Sequence, residues 1–444
     1  MKRSVRRSLD LYAHALDLIP GGTQLISRRP ERYVAGITPP FAERGKGARF
    51  WDLDGNEYID LVMSVGAALL GYADDEVDDA VIAQLRRGVS FSVNHPVEVE
   101  LAEELIAVIP CAEMVRYTRG GGDANTVAIR IARGVTGRHK VVFCGYHGWH
   151  DWYLAANLDN AAALTSHLLP GIEPRGIPSG LRDTVIPFEY NNLASLATVL
   201  DANRGAVACI IMEAARGTSL PQPGFLEGIR ALADAHGVVL IFDEVVTGFR
   251  LALGGAQAYF GVTPDMATYA KAISNGYAMG AVCGRRAVMS AAADMFISST
   301  YWSETVGIAA ALATIRAMRR RDVPAALARK GAVFQAAFNA AARQHDVPAE
   351  CVGLPALLAL RFAPADAAAT KPLFTLFLQE MTRRGVFIGG GVNVCDALTD
   401  ADLAEVSAAL SEVMPILADA LDADDIQRRL EGEISSDTFR RLVG

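Results

Sequence analysis

Residues 206–245 read AVACIIMEAARGTSLPQPGFLEGIRALADAHGVVLIFDEV. Two near-continuous apolar runs, AVACIIME (206–213) and VVLIFDEV (238–245), have the β-branched character of strands covered on both faces. GFLEGIRALADAHG (224–237) lies between them, with helical spacing and a glycine at its end. Working outward, VRYT (115–118) and KVVFCGY (140–146) read as further strands. DANTVAIRIARGVTG (123–137) reads as a helix. This alternation runs from about Val115 to Ile315 and predicts an open α/β fold with a mostly parallel sheet. Ligands of such sheets sit beyond the carboxyl ends of the strands.

The flanks read differently. KGARFWDLDGNEYIDLV (46–62) predicts a hairpin with Asp54-Gly55 at its turn. Residues 321–444 alternate helices with short strands such as VFIGG (386–390). The expected layout is a small α+β domain built from both chain ends, 1–65 and 321–444, beside a large domain at 66–320. The stretch from Asp422, DADDIQRRLEGEISSDTFRRLVG, reads as a charged, solvated helical tail. Leu9, Leu11, Tyr12, Leu16 and Leu18 suit a short amphipathic helix ending at Pro20-Gly21-Gly22.

Composition bounds the function. Of 444 residues, 51% are hydrophobic and 21% charged, so the chain can bury a large core and is not disordered. With 42 basic and 50 acidic side chains, the net charge of -8 argues against nucleic acid or an anionic membrane as partner. The six cysteines are scattered without CxxC or metal-ligand spacing, which points to a reducing compartment. The basic start MKRSVRR is followed by no apolar signal core, and no run approaches the ~20 residues that span a bilayer. The expectation is a soluble, cytoplasmic protein.

Four features fall at or just after strand ends. Arg119-Gly120-Gly121-Gly122-Asp123 joins a strand to a helix. Its glycines let backbone approach an anion, and the helix start adds N–H groups and a positive dipole end. A merely flexible turn would look the same, and the loop is neither GxGxxG nor a P-loop. Cys144-Gly145-Tyr146-His147-Gly148-Trp149-His150-Asp151 offers a tyrosine that could lie on a planar ligand. Its His147, His150 and Asp151 could instead bind a metal, but no further ligand follows at a characteristic spacing, and no metal is expected. An aromatic loop in a subunit interface is the plainer reading. Asp243-Glu244 closes an apolar strand; a carboxylate there is a cap or, if buried, needs a cation such as a protonated ring nitrogen. Lys271 follows an apolar run and precedes a glycine-containing loop; a solvated surface lysine is the plain alternative to a Schiff-base lysine. An anion cradle, an aromatic lid, a carboxylate and a lysine together match the needs of pyridoxal phosphate, whose phosphate anchors it while its ring acts as an electron sink.

The sequence resembles the class III pyridoxal-phosphate-dependent aminotransferases of fold type I, and within them the group that includes glutamate-1-semialdehyde 2,1-aminomutase. The resemblance runs from about Leu18 to Asp402. It rests on IPGG (19–22), WDLDGNEYIDLV (51–62), AIRIARGVTGR (128–138), YHG (146–148), FDEVVTGFR (242–250) and GGAQAYFGVTPDM (254–266), in family order. It implies that Lys271 carries the Schiff base and shuttles a proton, that Asp243 keeps the pyridine nitrogen protonated, and that Tyr146 covers the ring beside His147. It also implies backbone N–H bonds from Gly121 and Gly122 to the phosphate, support from Glu213, and Thr300 reaching the partner's phosphate site in a homodimer.

Departures qualify the substrate. Gly120-Gly121-Gly122 stands where the family commonly has Ser-Gly-Thr, which moves phosphate binding onto backbone N–H groups. Val65 replaces a tryptophan of the aminomutase, and GGGVNVCDALTDADL (389–403) replaces its glutamate-bearing segment. Arg28 and Arg29 are the candidates to replace its substrate arginine. The leading expectation is an aminotransferase moving an amino group from an amino acid to an aldehyde or ketone, alternating between pyridoxal and pyridoxamine phosphate. The aminomutase, a racemase or epimerase, and a catalytically silent binding subunit are the alternatives. Arg28, Val65, Trp302 and the loop 155–181 are the expected substrate-pocket positions.

Overall fold

The computed structural model describes residues 3–168 and 170–436. The chain divides into two compact units, Asp75–Ala325 and a second made of Met1–Asp74 with Ala326–Gly444.

The first unit is built on a seven-stranded sheet. Its strands, in chain order, are β1 (Met114–Thr118), β2 (Lys140–Cys144), β3 (Val185–Pro187), β4 (Val207–Met212), β5 (Val239–Asp243), β6 (Met266–Tyr269) and β7 (Gly280–Gly284). They lie in the order β1-β7-β6-β5-β4-β2-β3, and only β7 runs antiparallel to its neighbours. The large mixed, mostly parallel sheet expected from the sequence is thus present. Every residue of β4 and β5 is buried, which is why those runs carry no polar alternation. Helices Gly121–Thr136 and Phe225–His236 take the predicted stretches, each closing on a left-handed glycine, Gly137 and Gly237. Ile129, Ile131, Phe143, Ile211, Ile241 and Val282 belong to one buried core cluster.

The turn after β5 is tied down by Glu244, which is 1% exposed. Its carboxylate accepts the Thr247 hydroxyl, the Ala256 N–H at 2.8 Å and the Gln257 N–H at 3.0 Å. Two of these donors belong to the first turn of the next helix, Gly255–Phe260, where N–H groups lack intrahelical partners. Adjacent carboxylates therefore do different work: Glu244 stitches the loop while Asp243 faces the other way.

The second unit holds a four-stranded and a three-stranded sheet with flanking helices. The predicted hairpin pairs Arg49–Asp52 with Glu57–Asp60, and Val386–Phe387 adds in parallel to the latter. Gly55 takes a φ of 84° in the turn, and the buried Asp52 carboxylate accepts the N–H groups of Asp54 and Asn56 at 2.9 and 2.8 Å. The amphipathic helix spans Arg6–Leu18, yet Leu11, Leu16 and Leu18 stay exposed and only Ser8 and Ala15 are buried.

The tail departs from expectation. Among the described residues beyond Asp422, only Ile426–Arg429 is helical, and Ser435 and Ser436 are docked rather than solvated. Ser435 N–H donates to Thr375 Oγ1 at 3.0 Å and Ser436 N–H to Glu31 O at 2.7 Å, so both serines are buried despite the charged composition around them. Residues 437–444 of the predicted helix lie outside the described residues.

Replacing Glu244 with alanine strands three buried donors without an acceptor. The E244A protein is expected to lose roughly 2–5 kcal/mol, read as a fall in thermal midpoint of roughly 5–15 °C. Differential scanning calorimetry checks this.

Candidate active site

Four adjacent parallel strands, β2, β4, β5 and β6, deliver their side chains from their carboxyl ends, as an open α/β sheet requires. His147 lies three residues beyond β2, Glu213 one beyond β4, Asp243 at the end of β5, and Lys271 two beyond β6. The cluster is therefore a product of strand order: positions distant in sequence become neighbours across the sheet.

Asp243 is 4% exposed and richly supplied with donors. Its Oδ2 accepts Asn125 Nδ2 and contacts His147 Nδ1, each at 2.8 Å, and its Oδ1 accepts the Val245 N–H at 3.0 Å. A carboxylate has about four acceptor positions, so this set fills three and leaves one. The other ring nitrogen of His147, Nε2, lies 3.2 Å from the Cys144 carbonyl. Both imidazole nitrogens thus face acceptors.

Lys271 stands at a strained position, with φ of 51° where residues with side chains rarely sit. Burial is the main influence on its ammonium and holds its pKa below the ordinary lysine value; Asp243 and Glu213 pull the other way. Glu213 shows the complementary shift. Burial and the nearby Asp243 raise its pKa, against Arg216, His147 and the Tyr146 N–H. Its Oε2 accepts that N–H at 3.1 Å and lies 3.4 Å from Arg216 Nε. Tyr146 itself is 43% exposed, its ring edge-on to Tyr153 at 6.0 Å.

The Arg119–Asp123 loop ends β1 and opens helix Gly121–Thr136. The first intrahelical bond there runs from Ala124 N–H to Gly120 O at 3.0 Å, which places the Gly121, Gly122 and Asp123 N–H groups ahead of the ladder. A Cβ on Gly121 would lie 2.8 Å from Val245, and one on Gly122 2.8 Å from His150. These glycines let the helix start press against the loop after Asp243 and the loop after β2. His150 lies 3.4 Å from Asp123, away from His147, and among the described residues no group of three or more His, Cys, Asp or Glu is arranged to hold a metal.

The remaining predicted positions lie elsewhere. Thr300 is exposed at the start of the short helix Thr300–Ser303, whose backbone Arg119 anchors through Tyr301 O and Glu304 O. Trp302 is partly buried and packs against the core cluster. Arg28 and Val65 line one cavity of about 510 Å³ within the second unit, together with Tyr33, Ser64 and Tyr72. Met63, Ser64, Val65 and Gly66 all have positive φ there, 46°, 52°, 57° and 81°. Asp60 holds that turn by accepting the Val62 and Met63 N–H groups at 2.6 and 2.8 Å, and Arg28 Nη2 reaches Ser64 Oγ at 3.4 Å. Such strain in a β-branched residue marks a position the surroundings enforce.

Sequence reading passed over Asn125, Thr268, Arg216 and His167. The available signal is an asparagine on the otherwise apolar buried face of an amphipathic helix, a local inconsistency of the kind that functional sites show. His167 Nδ1 accepts the Gly145 N–H at 3.2 Å, a bond that needs the neutral ring, and burial with Arg216 nearby lowers its pKa to about 4. An unfolded histidine titrates near 6.5, so the contribution is intact above that pH and is lost as pH falls toward about 4. The drop in thermal midpoint between about pH 7 and about pH 5 is expected to be smaller in H167Q than in the wild type, measured by scanning fluorimetry.

Comparison with known proteins places this geometry. A 3-aminobutyryl-CoA aminotransferase of Cloacimonas acidaminovorans is 39% identical over 420 residues, covering 93% of this chain and 97% of its own. A glutamate-1-semialdehyde 2,1-aminomutase of Syntrophobacter fumaroxidans is 37% identical over 397 residues, covering 86% and 90%. The solved structure of the FumI protein of Sphingopyxis sp. MTA144, with pyridoxal phosphate as internal aldimine, superposes with a TM-score of 0.86 at 25% identity, covering 97% of this chain and 99% of its own. The sequence pattern described as aminotransferase class-III matches residues 33–419, and the chain belongs to that family.

Proposed function

We propose that the cluster around Lys271 holds pyridoxal phosphate and that the enzyme moves an amino group from an amino-acid donor to an aldehyde or ketone acceptor. The observation that carries this reading is a half-buried lysine under the electrostatic influence of an aspartate whose donor set leaves one acceptor position. Asp243 would use that position for the ring nitrogen, the Gly121 and Gly122 N–H groups would take the phosphate, and Tyr146 would lie against the ring. The residues fit the group: a cationic nitrogen answers Asp243, and a helix start opened by glycines answers a dianion. When bound, the cofactor supplies a conjugated electron sink for the charge left by a departing proton.

The chain's own work is positioning and proton transfer. Burial lowers the Lys271 pKa, which favours the neutral amine that acts as nucleophile and base. From there Nζ takes the proton from the amino-bearing carbon and later returns one to the acceptor-derived carbon. Glu213 fixes the backbone of Tyr146 and, through Arg216, the start of the loop after β4.

The aminomutase reading draws support from the 37% identical relative, while Val65 and the 389–403 segment favour ordinary transamination. The 39% identical relative is named for an amine β to a thioester carbonyl, so β-amino acyl thioesters belong in the donor panel with α-amino acids. The free, buried cysteines support a cytoplasmic enzyme. Exposed Phe296, Tyr301 and Trp149 support a homodimer in which Thr300 completes the partner's phosphate site.

One experiment separates the readings. With an amino donor and no acceptor, a transaminase releases about one carbonyl product per active site and stops until an acceptor is added. A racemase or epimerase would exchange the substrate proton with solvent and release none. An aminomutase would convert glutamate-1-semialdehyde to 5-aminolevulinate with no external donor. K271A is expected to slow product release by about 100-fold to 10,000-fold.

The shared site has its own test. K271A and T300A chains, dissociated and reassembled together, are expected to regain activity above either parent, because one site of the hybrid has both residues intact. If Thr300 acts within its own chain, mixing restores nothing.

A further inference from the structure

Asn125 occupies a position that helix propensity disfavours. It lies inside helix Gly121–Thr136 at 2% exposure, among Ala124, Val127, Ala128 and Ile129. A buried amide is tolerated only when its polar atoms find partners, and this one is satisfied on every side. Nδ2 donates to Asp243 Oδ2 at 2.8 Å and to the His147 carbonyl at 3.1 Å, while Oδ1 accepts the Thr268 hydroxyl at 2.6 Å. The carboxylate and the carbonyl can only accept, so they fix which end of the amide faces Asp243. Thr268, fully buried, is the register partner of Asp243 on the neighbouring parallel strand. One strand pair thus carries both the carboxylate and the hydroxyl that pins its clamp.

We propose that Asn125 is a positioning residue, which, held by Thr268, locks the Asp243 carboxylate so that its remaining acceptor position faces the cofactor's ring nitrogen. The inference rests on the reading of Asp243 given above. Asn125 acts through Asp243, touching neither substrate nor cofactor. Asp243 Oδ2 would otherwise keep only His147, and Oδ1 only the Val245 N–H, a pair that leaves the carboxylate plane less constrained. The same amide also ties the His147 backbone to Asp243, joining the loop after β2 to the end of β5.

The test measures the dissociation constant of pyridoxal phosphate and the visible circular dichroism per bound cofactor, which reports how rigidly the ring is held. N125A is expected to weaken cofactor binding roughly 10-fold to 100-fold and T268V roughly 3-fold to 10-fold, both with a weaker dichroic band. In a D243A background, N125A is expected to change the dissociation constant by less than about twofold, since the residue it serves is gone. An equal loss with and without Asp243 would mean that Asn125 merely supports the fold, which overturns the inference. The inference also fails if N125A leaves binding and dichroism unchanged while D243A alters both. No effect of D243A itself would remove the reading of Asp243 instead. Should N125A not fold, the near-isosteric T268V carries the same cycle.

Discussion

The site depends on how one carboxylate is supplied with hydrogen-bond donors where water is scarce. Asp243 terminates an entirely buried strand, where a carboxylate without hydrogen-bond partners is costly. Donors from a helix side chain, a loop imidazole and the next backbone N–H stabilise it instead. Each comes from a different element, so the helix after β1, the loop after β2 and the turn after β5 must meet within hydrogen-bond distance. Much of the local architecture serves that meeting. Gly121 and Gly122 allow the helix start to approach, and Glu244 holds the turn that carries Val245.

Electrostatics then connect the carboxylate to the lysine. Asp243 and Glu213 both favour the Lys271 ammonium, and burial opposes them more strongly. That balance suits the proton-transfer role proposed for Lys271. The backbone strain at Lys271 has a counterpart in the second unit, where Asp60 holds four successive positive-φ residues beside Arg28. In both places a rigid network maintains a conformation that the local sequence alone would not choose.

Much of this was legible before any coordinates. The apolar runs at 206–213 and 238–245 could only be strands shielded on both faces, and motif order from IPGG to GGAQAYFGVTPDM pointed to the family. Lys271, Asp243 and Tyr146 stand out in the sequence because they lie at or just after strand ends, where ligands of α/β sheets bind. Asn125 was not, since a single asparagine within ANTVAIRIA gives no sign of its partners until sheet order brings β5 and β6 beneath the helix. The tail misled because charge count was read as solvation, whereas Ser435 and Ser436 are held by individual hydrogen bonds. Glu244 illustrates the same limit: two neighbouring carboxylates look alike in sequence, and only the turn that follows separates a loop stitch from a site residue.

The central claim is that Lys271 is the residue to which the cofactor bonds. Borohydride reduction of the protein loaded with pyridoxal phosphate, followed by proteolysis and peptide mass spectrometry, addresses it directly. The account predicts a single stable cofactor adduct on the peptide containing Lys271, at about one per chain. An adduct distributed over surface lysines, or confined to another lysine such as Lys140 or Lys330, would contradict it.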